Sequence, residues 1–322
     1  MPITLKVLIA LTLLFFVWTL YDRAPYKSGD PSYNRVYWEG VVSSQGEVRA
    51  YELFKQKNST EPEVRQHFAA HVMGMVLFET RGTAGLAVCD ASFGFGCYHG
   101  HFSSAVAEGG IERVQDLDAV CNEKYGILGT GCRHGIGHGI LEYVGYDRIE
   151  VALSLCGTET QQVVPLLGCT SGVFMEYLSP LTGEVPRPRS LDLGNPYEPC
   201  TQIDKQFKDS CYYELGQWFH RTQPNSVMLC GDLQGEPRAR CFLGFGSDSA
   251  RLIQDTDALV QICRSLLPQD ERSCRAGAMW GLFSAQHMVE ARALCAYADS
   301  TEKDACVSEA DLTEGRDSNF PS

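Results

Sequence analysis

The sequence is short of positive charge. Its 322 residues include 27 lysines and arginines against 40 aspartates and glutamates, which gives a formal net charge of −13 at pH 7. Because phosphates and anionic lipid headgroups are bound by basic surfaces, this balance argues against a nucleic-acid partner and against docking on an acidic membrane surface. An acidic surface promotes solubility and slightly favours cationic ligands such as metal ions.

Several motifs of known chemistry are also missing. The sequence has no C-x-x-C-H, no G-x-S-x-G and no phosphate-binding loop, which excludes covalent c-type haem, a hydrolase nucleophile elbow and a Walker-type nucleotide site. The segment His67–His71, HFAAH, has the histidine spacing of zinc proteases but carries Phe68 and Ala69 where the general-base glutamate would lie. A haem held by two histidines stays an alternative to a metal ion.

No stretch alternates apolar and polar residues for long enough to predict a sheet, so we expect an all-α fold. Residues 1–24 are predicted to be an N-terminal transmembrane anchor or signal sequence. The 19 residues of Ile3–Tyr21, apolar apart from Lys6 and three threonines, would span roughly 28 Å as a helix, close to the thickness of a bilayer core. A clear small-residue cleavage site is missing, which favours an uncleaved anchor over a signal peptide. Residues 25–60 are interpreted as a linker with one short element at most, and Asn58 begins an N-glycosylation sequon.

The 14 cysteines fall into seven local pairs, of which five enclose ten residues each. None belongs to a C-x-x-C knuckle of the kind that binds zinc, so disulfides are the economical interpretation. Such bonds persist in an oxidising compartment, and each would contribute about 2–3 kcal/mol to stability. We therefore predict that the C-terminal domain lies in the periplasm, a lumen or the extracellular space. The predicted pairs are Cys89/Cys97, Cys121/Cys132, Cys156/Cys169, Cys200/Cys211, Cys230/Cys241, Cys263/Cys274 and Cys295/Cys306.

The second cysteine of each pair recurs at intervals of 30 to 42 residues, a period typical of helical-hairpin repeats. A short apolar helix is predicted to end at each first cysteine, and a longer helix to begin at the second. The predicted fold is thus a disulfide-clipped helical-hairpin repeat array over residues 61–312, either an open solenoid or an α/α ring, followed by a flexible tail over residues 313–322. Glycine follows three residues after the second cysteine in five pairs, which indicates close approach of neighbouring helices.

The histidines point to a site. In CRHGIGHGILEY, residues His134, His138 and Glu142 are spaced at i, i+4 and i+8, so a helix would align them on one face. Two more histidines have the same mutual spacing on an earlier helix, and a fifth lies between the two helices. Later helices carry other residues at the matching positions, so helix packing by itself does not require imidazoles there. The predicted metal ligands are His67, His71, His99, His134 and His138.

Further residues are candidates for supporting roles. Glu142 is predicted to be a ligand or a general base for metal-bound water, and Asp90 and His101 to orient the ligands. Imidazole with carboxylate suits zinc, iron, nickel or copper, and five histidines leave room for two ions. Glu176 and Glu214 are expected to be solvated or to form ion pairs, with a place in the same groove as the alternative.

These observations predict a membrane-anchored, extracytoplasmic metal-binding protein of helical repeats, with metalloenzyme activity on an unidentified small-molecule substrate as one form of that function. The alternative is a protein-interaction scaffold that binds a partner on its concave face, because helical arrays commonly do so. Under that alternative the histidines would form a structural or pH-responsive polar core.

Overall fold

The structure is a computed structural model that describes residues 34–61, 63–126, 129–156, 168–180, 189–222, 226–253, 255–284 and 287–297, together with positions 303 and 307. Within these ranges the chain is helical and contains no strand, as predicted. The helices are α1 (Arg35–Gln45), α2 (Glu47–Asn58), α3 (Glu63–Arg81), α4 (Gly96–Gly109), α5 (Arg113–Tyr125), α6 (Thr130–Val144), α7 (Ile149–Cys156), α8 (Cys169–Leu178), α9 (Lys208–Thr222), α10 (Met228–Asp232), α11 (Gly235–Leu252), α12 (Thr256–Arg264), α13 (Pro268–Ser284) and α14 (Met288–Leu294).

Local sequence explains where several of these helices begin and end. The side chain of Asn34 caps α1 by accepting a hydrogen bond from the Tyr37 amide, and Asp255 caps α12 in the same way. Helices α4 and α6 end at Gly110 and Gly145, whose φ angles are +75° and +98°. Glycine adopts this left-handed region without steric cost, so it is a common helix terminator.

Seven helices pack side by side in chain order. Contacts join α3 to α4, α4 to α6, α6 to α8, α8 to α9, α9 to α11 and α11 to α13. Helix α11 also contacts α3, so helices far apart in sequence face one another. We call these seven the inner helices; the helices α5, α7, α10, α12 and α14 each contact at least one of them.

Glycines allow the inner helices to approach at backbone distance. A Cβ atom added at Gly100 of α4 would lie 1.8 Å from the carbonyl oxygen of His71 in α3, far inside contact distance. The same holds at Gly244 of α11, where the carbonyl of Tyr213 in α9 would be 1.8 Å away. The predicted close approach is therefore confirmed, and it offsets the roughly 1 kcal/mol that a mid-helix glycine costs.

Six of the seven predicted disulfides are present, with Cα–Cα distances between 5.5 and 5.7 Å. They indicate an oxidising, extracytoplasmic environment. The seventh predicted pair includes Cys306, which lies outside the described residues. The six bonds are Cys89–Cys97, Cys121–Cys132, Cys156–Cys169, Cys200–Cys211, Cys230–Cys241 and Cys263–Cys274.

The second cysteines mark helix starts less closely than we expected. Cys169 does begin α8, as predicted, but five others lie inside helices that begin earlier in the chain, so the expectation was wrong for them. Helix α13, for example, begins at Pro268, because proline is favoured at a first helical position and acidic residues such as Asp270 suit the first turn. A disulfide fixes the distance between two Cα atoms and leaves open where a helix begins. The five residues are Cys97 in α4, Cys132 in α6, Cys211 in α9, Cys241 in α11 and Cys274 in α13.

The predicted linker is more ordered than expected. Helices α1 and α2 lie within it, and Trp38, Tyr51 and Phe54 are buried against the core. Asn58 of the sequon is also buried, and its Nδ2 donates to the Phe54 carbonyl at 2.9 Å. This placement argues against a glycan at Asn58 in the folded chain.

The N-terminal anchor predicted over Ile3–Tyr21 lies outside the described residues, as does the tail. Among the helices that the structure describes, none is long and apolar enough to cross a membrane.

Candidate metal centre

Five histidines from three consecutive inner helices meet in the interior. His67 and His71 come from α3, His99 from α4, and His134 and His138 from α6. Neighbouring rings lie with their centroids 4.7 to 5.7 Å apart, and His99 contacts all four of the others. The structure therefore brings together all five histidines predicted as ligands; we call them the histidine cluster.

Backbone packing sets the positions of the histidine rings along the helix axes. Gly100 lies against the His71 carbonyl, and a Cβ at Gly135 would lie 2.9 Å from the Cα atom of His99. Because the three helices touch at these glycines, side chains one position before each glycine lie in register. The i, i+4 spacing then adds a second imidazole one turn further on α6.

Three ring nitrogens form the tightest group. His71 Nε2 lies 3.1 Å from His67 Nε2 and 3.2 Å from His99 Nδ1. One nitrogen from each ring lies within 4.8 Å of the other two, a separation that could hold a metal ion. Zinc–nitrogen bonds of about 2.0–2.1 Å place adjacent ligands about 2.9–3.4 Å apart for angles between square and tetrahedral, and both short distances fall in that interval.

Backbone carbonyls fix the tautomers of two of these rings. His67 Nδ1 donates to the Phe93 carbonyl at 2.7 Å, and His99 Nε2 donates to the Gly131 carbonyl at 3.1 Å. Each ring therefore has its N–H directed away from the cluster and its lone pair directed into it. This is the arrangement in which histidine binds metals, with the second nitrogen held by an outer acceptor.

The loop that holds His67 has an unusual backbone. Phe93 and Phe95 have φ angles of +58° and +64°, which are uncommon for bulky residues and costly without support. The Cys89–Cys97 disulfide closes this loop, and the Phe95 ring packs directly against Gly131. The strained loop thus positions the Phe93 carbonyl for His67. It also contacts Gly131, whose carbonyl accepts the hydrogen bond from His99.

His138 is oriented by a carboxylate. Its Nδ1 lies 2.9 Å from Glu176 Oε2 on α8, and both side chains are fully buried. The Tyr146 hydroxyl donates to the other oxygen of Glu176. The opposite ring nitrogen, His138 Nε2, is buried without a hydrogen-bond partner among the described residues. A carboxylate on one nitrogen and a free lone pair on the other is typical of a metal-binding histidine.

His134 is oriented through a hydroxyl. Its Nδ1 lies 3.0 Å from Ser171 Oγ, and that hydroxyl donates to Glu214 Oε1 on α9. The hydroxyl proton is used on Glu214, so the His134 Nδ1–H is the donor to Ser171. Nε2 of His134 is then the nitrogen that keeps a lone pair.

Burial disfavours the charged form of four rings of the cluster. It lowers the pKa of His67 to about 3, against an opposing hydrogen bond to the Phe93 carbonyl. It lowers the pKa of His71, His99 and His134 well below the ordinary value, and neighbouring histidines add to the effect. Neutral imidazole is the form that binds metal, so these rings are ready to bind at neutral pH.

The residues predicted for supporting roles lie elsewhere. His101 Nε2 donates to the Gly82 carbonyl at 3.1 Å, and the ring packs edge-on against Phe78. Asp90 binds the Tyr51 hydroxyl and the Lys55 ammonium at 2.9 and 3.0 Å. Glu142 lies half-buried near the end of α6. Its predicted role as ligand or base stays a prediction.

The cluster is held instead by the carboxylates of Glu176 and Glu214 and by the hydroxyl of Ser171, to which the sequence patterns give less weight. All three lie within seven residues of a second cysteine, so their places in the repeat could be recognised from the sequence. Their partners, however, lie on neighbouring helices, which the sequence does not identify. Glu63 was not singled out, although it precedes His67 and His71 at the same four-residue spacing that identified α6.

No family model matches the chain, and neither a curated protein nor a solved structure is detectably similar to it. The function must therefore be inferred from the site itself.

Proposed function

We propose that this protein is an extracytoplasmic metal-binding protein whose histidine cluster holds a transition-metal ion. His67 Nε2, His71 Nε2 and His99 Nδ1 are the proposed first three ligands. His138 Nε2 and His134 Nε2 are proposed to complete the site or to hold a second ion. Zinc, iron, nickel and copper all suit this donor set.

The observation that carries the proposal is the direction of the protons. Three rings direct an N–H outward to a carbonyl or a hydroxyl: His67 to Phe93, His99 to Gly131 and His134 to Ser171. His138 directs its Nδ1–H to Glu176. His71 has no such outer acceptor, since its Nδ1 is buried without a hydrogen-bond partner among the described residues, and its Nε2 faces the lone pairs of His67 and His99. Without a cation, His138 Nε2 also stays buried with no hydrogen-bond partner in the described part of the chain, which costs about 1–3 kcal/mol. A metal ion would satisfy these lone pairs together.

Such an ion would supply Lewis acidity and a water of lowered pKa, which is the basis of the proposed metalloenzyme activity. The chain's own contribution is to hold the imidazoles in one tautomer and one orientation. Glu142 as a base for that water remains part of the proposal as a prediction from the sequence, whereas Asp90 and His101 bind partners outside the cluster. The small-molecule substrate is unidentified.

The setting of the site is also proposed. The order of contacts among the inner helices, and the return contact of α11 with α3, support a curved array of helical hairpins. An N-terminal helix over residues 1–24 is proposed to anchor the array to a membrane, with the disulfide-bonded part outside the cytoplasm. A protein partner on the concave face fits the same architecture.

A second candidate function is an interaction scaffold whose histidines form a polar core. The hydrogen bond available between His71 Nε2 and either His67 or His99 favours it, because a metal-free cluster can be held together in that way. Under this candidate the buried imidazoles add structure and pH response but bind no ion.

Elemental analysis of the purified full-length chain tests the two candidates. We expect stoichiometric metal after production in an oxidising compartment, and its loss in His71→Ala. The matched control is His101→Ala, which removes an equally buried imidazole and one hydrogen bond to a carbonyl outside the cluster.

Metal retained in His101→Ala and lost in His71→Ala, with both variants folded by circular dichroism, supports the metal centre. A folded wild-type protein with no metal, and with a melting temperature that zinc addition does not change, would contradict it and favour the polar core. His99→Gln provides a second ligand variant should His71→Ala not fold.

A further inference from the structure

A second buried polar group lies beyond the histidine cluster, between α9 and α11. Asp248 of α11 is fully buried and receives hydrogen bonds from Arg221 Nε at 2.6 Å and His220 Nδ1 at 2.8 Å, both on α9. The face of α11 that carries Asp248 is therefore turned toward the inner face of α9.

Hydrogen bonds connect this group to the histidines. Arg221 donates to Gln217 Oε1 at 3.3 Å, and Gln217 Nε2 donates to Glu214 Oε2 at 2.8 Å. The other oxygen of Glu214 receives the Ser171 hydroxyl, which in turn accepts from His134. A continuous row of polar contacts thus runs from the cluster to Asp248, and both groups face the same interior.

Arg251 lies on that face of α11, three residues after Asp248, and is partly buried. Unlike Arg221, it forms no hydrogen bond or ion pair with any residue in the described part of the chain. Its charge nevertheless acts on the cluster: burial is the main cause of the lowered pKa of His67 and His134, and Arg251 lowers both further. An unpaired guanidinium near the centre is available to a ligand.

Glu63 faces this position from the other side. It lies one turn before His67 on α3, and α3 contacts α11. Its Oε2 atom is buried without a hydrogen-bond partner among the described residues. Burial raises the pKa of Glu63 to about 7, and Arg251 is the first of the charges that oppose this rise. The two side chains influence each other but form no direct ion pair in the part of the chain described.

We propose that Arg251 binds the carboxylate or phosphate group of a small ligand that reaches the histidine cluster, and that Glu63 accepts a hydrogen bond from a hydroxyl or amine of the same ligand. Guanidinium pairs with carboxylates and phosphates through two parallel hydrogen bonds, and such pairs gain strength away from bulk water. The inference rests on the proposed metal centre for its location and gives that centre a ligand class: small anions that carry a hydrogen-bond donor.

Calorimetric titration of the full-length, metal-loaded protein with inorganic phosphate and with acetate tests this subsite. Arg251→Gln is expected to weaken binding of both anions by about tenfold or more, which corresponds to the loss of one charged hydrogen-bonded contact. The matched control is Arg113→Gln, which removes one positive charge from an exposed ion pair with Asp116 on α5 and is expected to leave binding unchanged.

Glu63→Met examines the other half of the subsite. Methionine keeps the length of the side chain but accepts no hydrogen bond of comparable strength. Binding of hydrogen phosphate, which carries a hydroxyl, should therefore fall more than binding of acetate, which carries none. Equal losses for the two anions would remove Glu63 from the inference.

Metal content measured on each sample separates this inference from the proposed function. Wild-type protein without metal would overturn the metal centre, but phosphate binding that depends on Arg251 would still support the subsite. Equal affinities in Arg251→Gln and Arg113→Gln, or no binding of either anion to the wild type, overturns the subsite whatever the metal content. Arg251→Lys, which keeps the charge, replaces the glutamine variant should that variant unfold.

Discussion

The early inner helices α3, α4 and α6 and the late inner helices α9, α11 and α13 use the same backbone packing around different interiors. Gly100 lies against the His71 carbonyl in the early group, and Gly244 and Gly277 lie against the carbonyls of Tyr213 and Leu243 in the late group. Both groups are also closed by disulfides of similar geometry. The helix contacts are therefore independent of what the interior side chains are.

The interiors differ in chemistry. The early group presents a cluster of imidazoles, whereas the late group presents Glu214, Asp248 and Arg221 beside Tyr213. Since the late helices pack equally closely without an imidazole cluster, the five histidines are an addition to the scaffold rather than a condition for it. A function is the simplest reason for collecting them in one place.

The largest expected effect tests whether the two groups share their packing. Gly100→Ala and Gly244→Ala should each destabilise the protein by about 3 kcal/mol or more, because the new Cβ would lie 1.8 Å from a carbonyl oxygen that cannot move without its helix. Urea unfolding measures the loss. Gly40→Ala is the control: nothing lies within 4 Å of its Cβ, so it should gain about 0.5–1 kcal/mol. A large loss of stability in only one of these two variants would show that the early and late groups do not share their backbone packing.

The second-largest effect should be on metal affinity, which we expect to depend on the early group and not on the late group. Glu176→Gln removes the carboxylate charge that orients His138, and changes of this kind reduce metal affinity about 10- to 100-fold. Competition with a chelator of known affinity provides the measurement. Asp270→Asn in the late group breaks a buried contact with Arg238 and serves as control; it should lower stability without changing metal affinity. Equal affinities in the two variants would argue against His138 as a ligand.

The smallest effect of a single variant is on the pH dependence of stability, to which the two groups contribute with opposite signs. The unfolded chain binds protons on histidine below about pH 6.5, whereas burial holds the pKa of His67 at about 3 and that of His71 well below normal. The metal-free protein should therefore lose stability as the pH falls from 6.5 to 5, by about 1.4 kcal/mol per pH unit for each such group.

Glu214 opposes this trend. Burial raises its pKa to about 7, so the folded chain binds that proton and gains stability as the pH falls toward the unfolded value near 4.5. Urea unfolding between pH 5 and 6.5 should show a shallower slope in His71→Leu and a steeper slope in Glu214→Gln. If the slope of stability against pH in both variants equals that of the wild type, neither group titrates as described.

Particular residues show how far the site could be predicted. The spacing of His134 and His138 predicted that they share a face, and the same spacing of His67 and His71 predicted a second such pair; with His99, all five meet. The same periodicity gave Glu142 as the accompanying acid, whereas the carboxylate on His138 is Glu176 of the next helix. Periodicity relates residues within one helix and contains no information on the axial offset between two.

The outer contacts were beyond sequence reasoning for a related reason. Phe93 has no polar side-chain atom. Its backbone carbonyl reaches His67 because the loop adopts a left-handed backbone conformation that the sequence does not predict for phenylalanine. Similarly, Ser171 looked like a neutral replacement for histidine at its position, but it joins His134 to Glu214.

By itself, the sequence determined the features that depend on short distances along the chain: the helical character, the local disulfides, the glycines at helix contacts and the histidines on shared faces. Tertiary structure alone decided which acid meets which imidazole, which ring nitrogen keeps its lone pair, and that α3 and α11, which carry Glu63 and Arg251, are in contact. The physical reason is that the first set follows from the helical repeat of 3.6 residues and from short loops, whereas the second follows from how closely and at what offset separate helices pack.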